Sequence, residues 1–370
     1  MVDLKGQYDK IKSDVDQAIQ HVIDTTAFIN GPQVKSFSSE LAHYLGAKHV
    51  ITCGNGTDAL QIALMALGLK QGDEVIVPCF TYVATVEVIA LLNLTPVLVE
   101  VDPDTFNVTA ELIEQAITPR TKAIVPVHLF GQSADMGPIM EVARKHNLFV
   151  VEDTAQAIGA DYTFDNKTKK SGTIGDIGCT SFFPSKNLGC YGDGGALYTD
   201  NDELAALIRK IANHGQAKKY HHEVVGVNSR LDTLQAAILS VKLKQLDQYC
   251  DARRTAADYY DKNLADLDWL QTPARQQNST HVFHQYTLKL ADSEDRNLLK
   301  EHLASQGIPS MVYYPIPVHL QEAFSRPEYV QGSFPISEKL CGQVLSLPIH
   351  TEMSEDQQDF IIAAIKTFRK

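Results

Sequence analysis

Three short stretches of this sequence carry residues that could act together on one small molecule. In "VITCGNGTDAL" (50–60) an apolar run ends at Cys53, two glycines bracket Asn55, and Thr57-Asp58 open an apolar helix pattern. A helix N-terminus offers free backbone N–H groups and the positive end of a dipole, so this turn suits an anion. Gly56 lets the backbone approach closely, and Thr57 adds a hydroxyl donor. Asp58 is expected to turn away, as a helix cap or a ring contact. In "VVEDTAQAIGA" (150–160), Asp153 follows an apolar strand. In "TSFFPSKNLGCYGDGG" (180–195), Lys186 lies between a short strand and a glycine-rich turn.

Gly54-x-Gly56-x-x-Ala59 also matches a dinucleotide fingerprint. A nicotinamide oxidoreductase of that type needs a carboxylate at the end of its second strand for the ribose hydroxyls. Here that strand ends in Pro78-Cys79-Phe80. A cup for a single phosphate fits better. An amine that holds an aldehyde as a Schiff base and moves a proton is one part of a pyridoxal 5'-phosphate site. A carboxylate that keeps a pyridine nitrogen protonated and a phosphate cup are the others. Lys186, Asp153 and Gly56/Thr57 are the candidates. Singly, such a lysine is usually a solvated loop residue and such an aspartate a cap. In this order, at strand ends of one parallel sheet where ligands bind, the functional reading wins.

The elements that must position them form an alternating pattern. Apolar runs at 49–52, 74–78, 96–101, 123–127, 148–153, 180–183 and 195–199 are interleaved with helical patterns at 58–69, 84–92, 109–117 and 136–146. Continuously apolar strands between helices indicate an α/β fold with a mainly parallel, seven-stranded sheet covered on both faces. A helix over 7–24 precedes it and is broken by "NGP" at 30–32. Helices over 202–213 and 231–262 follow, then a strand at 284–290, a helix near 293–306 and a last helix near 354–368. The expected division is a large α/β domain over 1–244 and a smaller α+β domain over 245–370, with helix 7–24 placed against the smaller one.

The chain has 370 residues, 44% hydrophobic and 21% charged, with a formal net charge of −12. That balance speaks against a nucleic-acid partner. No apolar stretch approaches the roughly 18–20 residues that cross a bilayer, and the N-terminus lacks a signal pattern. The six cysteines have no zinc spacing, so no metal is expected, and reduced thiols in a cytoplasmic protein are.

"GNGTDAL", "PCFTYVAT", "VVEDTAQAIGA", "SFFPSKNLGCYGDGG" and "GVNSRLDTLQAAIL" together resemble the DegT/DnrJ/StrS sugar-nucleotide aminotransferases, and the likeness covers nearly the whole chain. The resemblance implies a pyridoxal-phosphate enzyme of the aspartate-aminotransferase fold type I. It assigns Lys186 as the Schiff-base lysine, Asp153 to the pyridine nitrogen, Gln156 to the ring hydroxyl and Tyr82 to stacking on the ring. It assigns Gly56, Thr57 and Ser181 to the phosphate, joined by Asn228 from a neighbouring subunit, so that a homodimer shares its active sites. The lysine favours transamination over the deoxygenation of members that carry histidine there. The resemblance implies L-glutamate as donor and a UDP-linked 2-acetamido-3-oxo-glucuronate as acceptor, for surface-polysaccharide (O-antigen) precursors. A dTDP-linked 3-oxo-6-deoxyhexose is the alternative. Arg230 is the candidate ligand for a uronate carboxylate, and Tyr313, Tyr314 and His319 are candidate sugar contacts. Lys218, Lys219, His221 and His222 in "QAKKYHH" are either substrate-facing or a solvated loop.

Overall fold

In the computed structural model, which describes residues 1–291 and 293–369, the apolar runs become a seven-stranded sheet. Its strands are β1 (His49–Cys53), β2 (Glu74–Pro78), β3 (Thr95–Val99), β4 (Thr121–Ile124) and β5 (Phe149–Asp153). After a hairpin of β6 (Asp161–Phe164) and β7 (Lys167–Lys170) come β8 (Ile177–Ser181) and β9 (Gly195–Thr199). The spatial order is β1-β9-β8-β5-β4-β2-β3. Only β9 runs against the rest. The C-terminal ends of β1, β2, β5 and β8 therefore share one edge, which sets Gly54–Gly56, Tyr82, Asp153 and Ser181 along it.

Several element bounds differ from the sequence expectation. The strand expected at 180–183 is β8, which starts at Ile177 and ends at Ser181. The run at 123–127 stops pairing regularly after Ile124, close to Pro126, which has no N–H to donate to a ladder. Helix α1 (Leu4–Thr25) is longer than the 7–24 pattern because Asp3 caps it, accepting from the Gly6 amide at 2.8 Å. Helix α2 (Pro32–Leu45) was not anticipated. Its signals were present: Pro32 at the first helical position, Gly46 in the left-handed region after the last, and Phe37, Leu41 and Leu45 on one buried stripe. Burying each of those side chains contributes about 2 kcal/mol.

Helices α3 (Gly56–Ala66), α4 (Ala84–Leu91) and α7 (Asp202–Ala212) pack on one face of the sheet. Helices α5 (Ala110–Gln115) and α6 (Met136–His146) pack on the other. The single helix expected over 231–262 is two: α8 (Thr233–Leu243) and α9 (Leu246–Leu264). No proline or glycine breaks it. Instead α8 packs with α1 and α2, while Ala256, Ala257, Tyr260 and Leu264 of α9 enter a separate apolar cluster.

That second cluster is built on a three-stranded antiparallel sheet of β12 (Leu270–Gln271), β13 (Tyr286–Leu290) and β14 (Val344–Leu347). It follows a small hairpin of β10 (Gln216–Lys218) and β11 (His221–His222). The cluster is closed by α9, α10 (Ser293–Ser305) and α12 (Glu355–Thr367), while α11 (Pro335–Gln343) leads into β14. Helix α1 touches both regions. It lies along α8, and Gln7 and Lys10 near its start meet Thr351 and Glu352.

Candidate active site

The Gly54–Thr57 turn lies between the end of β1 and the start of α3. Asn55 is the cap of α3, its side chain accepting from the Asp58 amide at 2.8 Å. Asp58 does turn away, but it is not the cap; it accepts from the Ser229 hydroxyl at 2.5 Å. A methyl group on Gly56 would lie 2.7 Å from the Ser181 side chain, so the start of α3 and the end of β8 line the same notch. Gly195, at the start of the intervening β9, makes that approach possible: a side chain there would meet the Asn55 carbonyl at 2.4 Å. Gly56, with Thr57 next to it, and Ser181 are thus brought together from distant parts of the chain.

Lys186 follows a tight turn in which its amide donates to the Phe183 carbonyl at 2.8 Å. The turn is pinned from behind. Asn187 donates to the Val282 carbonyl at 2.9 Å, and the buried Lys242 ammonium donates to the Gly189 carbonyl. Burial pulls the Lys186 amine down to about 8, against the pull of Asp153, which favours its charged form. An amine so placed is unprotonated for part of the time near neutral pH.

Asp153 is buried, and burial pushes its carboxyl above the ordinary aspartate range. The Ala155 amide (3.1 Å), the Thr85 hydroxyl (3.0 Å) and the Lys186 charge work in the opposite direction. Thr85 was not anticipated, and its signal was weak: a threonine in the first turn of the helix that follows Tyr82. Also unanticipated are His128 and Glu152, both fully buried; the His128 amide donates to the Asp153 carbonyl at 3.0 Å. His128 Nδ1 accepts from the Ala134 amide, so Nε2–H donates to Glu152 at 2.9 Å. Glu152 also accepts from the amides of Gly172, Ile174 and Gly175. Burial alone would raise Glu152; these donors hold it below its usual range.

Gln156 is fixed at both ends. Its carbonyl accepts from the Phe130 amide at 2.7 Å and its amino group donates to the Tyr314 hydroxyl at 3.0 Å. Tyr314 packs edge-on to Phe80 (6.1 Å) and beside Tyr82 (6.2 Å). Tyr82 is 57% exposed, leaving a ring face open at the strand edge. Tyr313 is half-buried beside Tyr314.

Asn228 and Arg230 are both exposed, on either side of the buried Ser229. Ser229 anchors the loop to α3 by accepting from the Gly54 amide and donating to Asp58, so its neighbours project outward. Lys218, Lys219, His221 and His222 are exposed on the β10–β11 hairpin. His319 is not brought to the site. Its side chain is buried between Cys79 and Glu338, with both ring nitrogens engaged.

These residues fit pyridoxal phosphate: a notch at a helix start, a desolvated amine, and a buried carboxylate to which no cationic side chain is bonded among the described residues. Such a carboxylate is matched by the protonated nitrogen of a pyridine ring. The fold and this set of groups define a fold type I pyridoxal-phosphate enzyme. The model of the DegT/DnrJ/EryC1/StrS aminotransferase family matches residues 9–366, and the chain belongs to that family; it is a pyridoxal-phosphate-dependent aminotransferase. It is 47% identical to the UDP-2-acetamido-2-deoxy-3-oxo-D-glucuronate aminotransferase of Pseudomonas aeruginosa, over 98% of each chain. It is 45% identical to the UDP-N-acetyl-3-dehydro-alpha-D-glucosamine 3-aminotransferase of Acidithiobacillus ferrooxidans, over 99% of this chain and 96% of that one. Among solved structures it is similar to S. venezuelae DesV in complex with a ketimine intermediate, with a TM-score of 0.95, 40% identity, and coverage of 100% and 98%.

Proposed function

We propose that the chain moves the amino group of L-glutamate to C3 of UDP-2-acetamido-2-deoxy-3-oxo-D-glucuronate, in the synthesis of surface-polysaccharide precursors. The observation that carries the choice is the 47% identity, end to end, with a relative of that name. The exposed Arg230, whose planar fork suits a C6 carboxylate, supports it.

Bound pyridoxal phosphate supplies an aldehyde for amines and a ring that takes up carbanion charge. Lys186 Nζ, lowered to about 8, accepts the Cα proton of the amino donor and returns a proton in the second half-reaction. Asp153, whose anionic form the Ala155 and Thr85 donors favour, keeps the facing ring nitrogen protonated. Gln156, clamped between Phe130 and Tyr314, is oriented toward the ring hydroxyl. Gly56, Thr57 and Ser181 hold the phosphate, and Tyr82 covers the ring. Tyr313 and Tyr314 face the sugar, and His319 has no direct part.

The working unit in this proposal is a homodimer in which Asn228 and Arg230 of each chain complete the other's site. The outward projection of both residues from the anchored Ser229 supports this. So do the exposed apolar side chains Phe28, Ile29, Phe183 and Val225. The smaller unit starts near residue 245, where α8 gives way to α9. Six buried, unpaired thiols favour a reducing compartment, the cytoplasm.

The test is product mass after incubation with L-glutamate and either the UDP-linked 3-oxo-uronate or a dTDP-linked 3-oxo-6-deoxyhexose. Amination of the dTDP sugar alone refutes the uronate assignment. Arg230→Ala is expected to impair the uronate selectively; equal loss with a non-uronate acceptor removes its role as carboxylate ligand.

A further inference from the structure

A cysteine, a histidine and a glutamate stand in line outside the site. His319 Nδ1 lies 3.1 Å from Cys79 Sγ, and its Nε2 lies 2.9 Å from Glu338 Oε1. The spacing is that of a nucleophile, a base and an orienting acid. The hydrogen-bond polarity is also that of such a triad. A carboxylate accepts only, so Nε2 carries the hydrogen and Nδ1 is left to accept from the thiol. Cys79 is fully buried, and burial pushes its thiol up to about 12, so it stays protonated and serves as a donor.

Each member belongs to a different piece of chain. Cys79 directly precedes Phe80-Thr81-Tyr82. His319 ends the segment that carries Tyr313 and Tyr314, and the two strands of this joint also meet through the Val318 amide and Cys79 carbonyl at 3.1 Å. Glu338, on α11, additionally accepts from the amides of Gly332 (2.7 Å) and Phe334 (3.3 Å), and the His319 ring packs on Phe334 at 4.8 Å. A second carboxylate, Glu100 at the end of β3, holds the start of α11 by accepting from Ile336, Ser337 and the Ser337 hydroxyl. The start of α11 is thereby fixed to the sheet, and His319 ties both aromatic pieces to it.

We propose that His319 is a positioning residue: through Cys79 and Glu338 it fixes Tyr82 relative to Tyr313 and Tyr314, and so sets the opening that admits the sugar nucleotide. The proposal rests on the reading of those tyrosines as sugar-facing. It differs from a direct substrate contact, because the imidazole has no face toward solvent.

The experiment compares His319→Ala, Cys79→Ala, Cys79→Ser and Glu338→Gln holoenzymes in two assays. One is the glutamate half-reaction followed by cofactor absorbance. The other is the reverse reaction of UDP-2-acetamido-3-amino-2,3-dideoxy-D-glucuronate with 2-oxoglutarate. His319→Ala is expected to raise KM for the sugar nucleotide on the order of tenfold, the weight of one lost charge-assisted hydrogen bond, with the glutamate half-reaction within about threefold of the parent. Cys79→Ser, whose hydroxyl still donates, should stay near the parent, and Cys79→Ala should fall between. Glu338→Gln keeps an acceptor oxygen and should be milder than His319→Ala. Unchanged sugar KM in His319→Ala and Cys79→Ala overturns the joint. Equal loss of cofactor binding, glutamate half-reaction and sugar KM overturns it too, since the residue would then support the fold at large. Parent enzyme that fails on the UDP sugar but turns over a dTDP sugar refutes the substrate reading, and the variants are then compared on that sugar.

Discussion

Replacing Thr85 by valine keeps the side-chain shape and removes the hydrogen bond its hydroxyl donates to Asp153 Oδ2 at 3.0 Å, together with a long contact to the Thr81 hydroxyl at 3.5 Å. Asp153 is buried, with Oδ1 held by the Ala155 amide. A hydrogen bond to a charged acceptor contributes about 1.5–3 kcal/mol. Its loss should lift the Asp153 carboxyl further, beyond the rise that burial already causes. A carboxyl that holds its own proton cannot keep one on the ring nitrogen. Thr85→Val is therefore expected to lower kcat about tenfold or more at neutral pH, following the loss of that energy. The KM values should change little, and the acid limb of the pH–rate profile should move upward. Thr85→Ser should restore most of the activity. A Thr85→Val enzyme with kcat within twofold of the parent and an unmoved acid limb would refute the reasoning.

Other outcomes follow from the same geometry. Mixing Lys186→Ala with Asn228→Asp subunits should restore about one quarter of parental activity, since half of the dimers are hybrids with one intact site; no recovery on mixing excludes Asn228 acting across subunits. In the apoenzyme, Lys186 is depressed from 10.5 to about 8, so the unfolded chain binds the extra proton between those values. Lys186→Met apoprotein should therefore be more stable than the parent at neutral pH, by at most about 3 kcal/mol, and the gap should close as pH rises from 8 toward 10.5. Denaturant titrations at three pH values check this, and a constant gap contradicts it. Glu152→Gln offers one acceptor oxygen where four donors converge, and should cost about 3–5 kcal/mol of stability in urea unfolding.

The motifs around Gly56, Asp153 and Lys186 were readable from sequence because each is local. A glycine turn, an apolar strand and the residue just beyond it are fixed within a dozen positions by backbone geometry, and a parallel sheet gathers its strand ends along one edge. The strand count and the alternation with helices followed for the same reason. Gly56 and Ser181 lie more than a hundred positions apart, yet their meeting was implied once both were placed at strand ends.

Tertiary packing alone decided the rest. The residues over 231–262 have one continuous helical pattern, but α8 belongs to one apolar cluster and α9 extends into another, so the helix divides without a breaking residue. The bonds of Thr85 to Asp153 and of His128 to Glu152 span 68 and 24 positions, and no local signal marks these residues. His319 looked like a sugar contact beside Tyr313 and Tyr314. Instead, the buried thiol of Cys79 and the carboxylate of Glu338 supply partners for both its nitrogens, and an imidazole satisfied on both sides is stable inside the protein. Sequence spacing states which chemistry is affordable; which polar group ends up facing the ligand depends on partners that only the folded chain brings within reach.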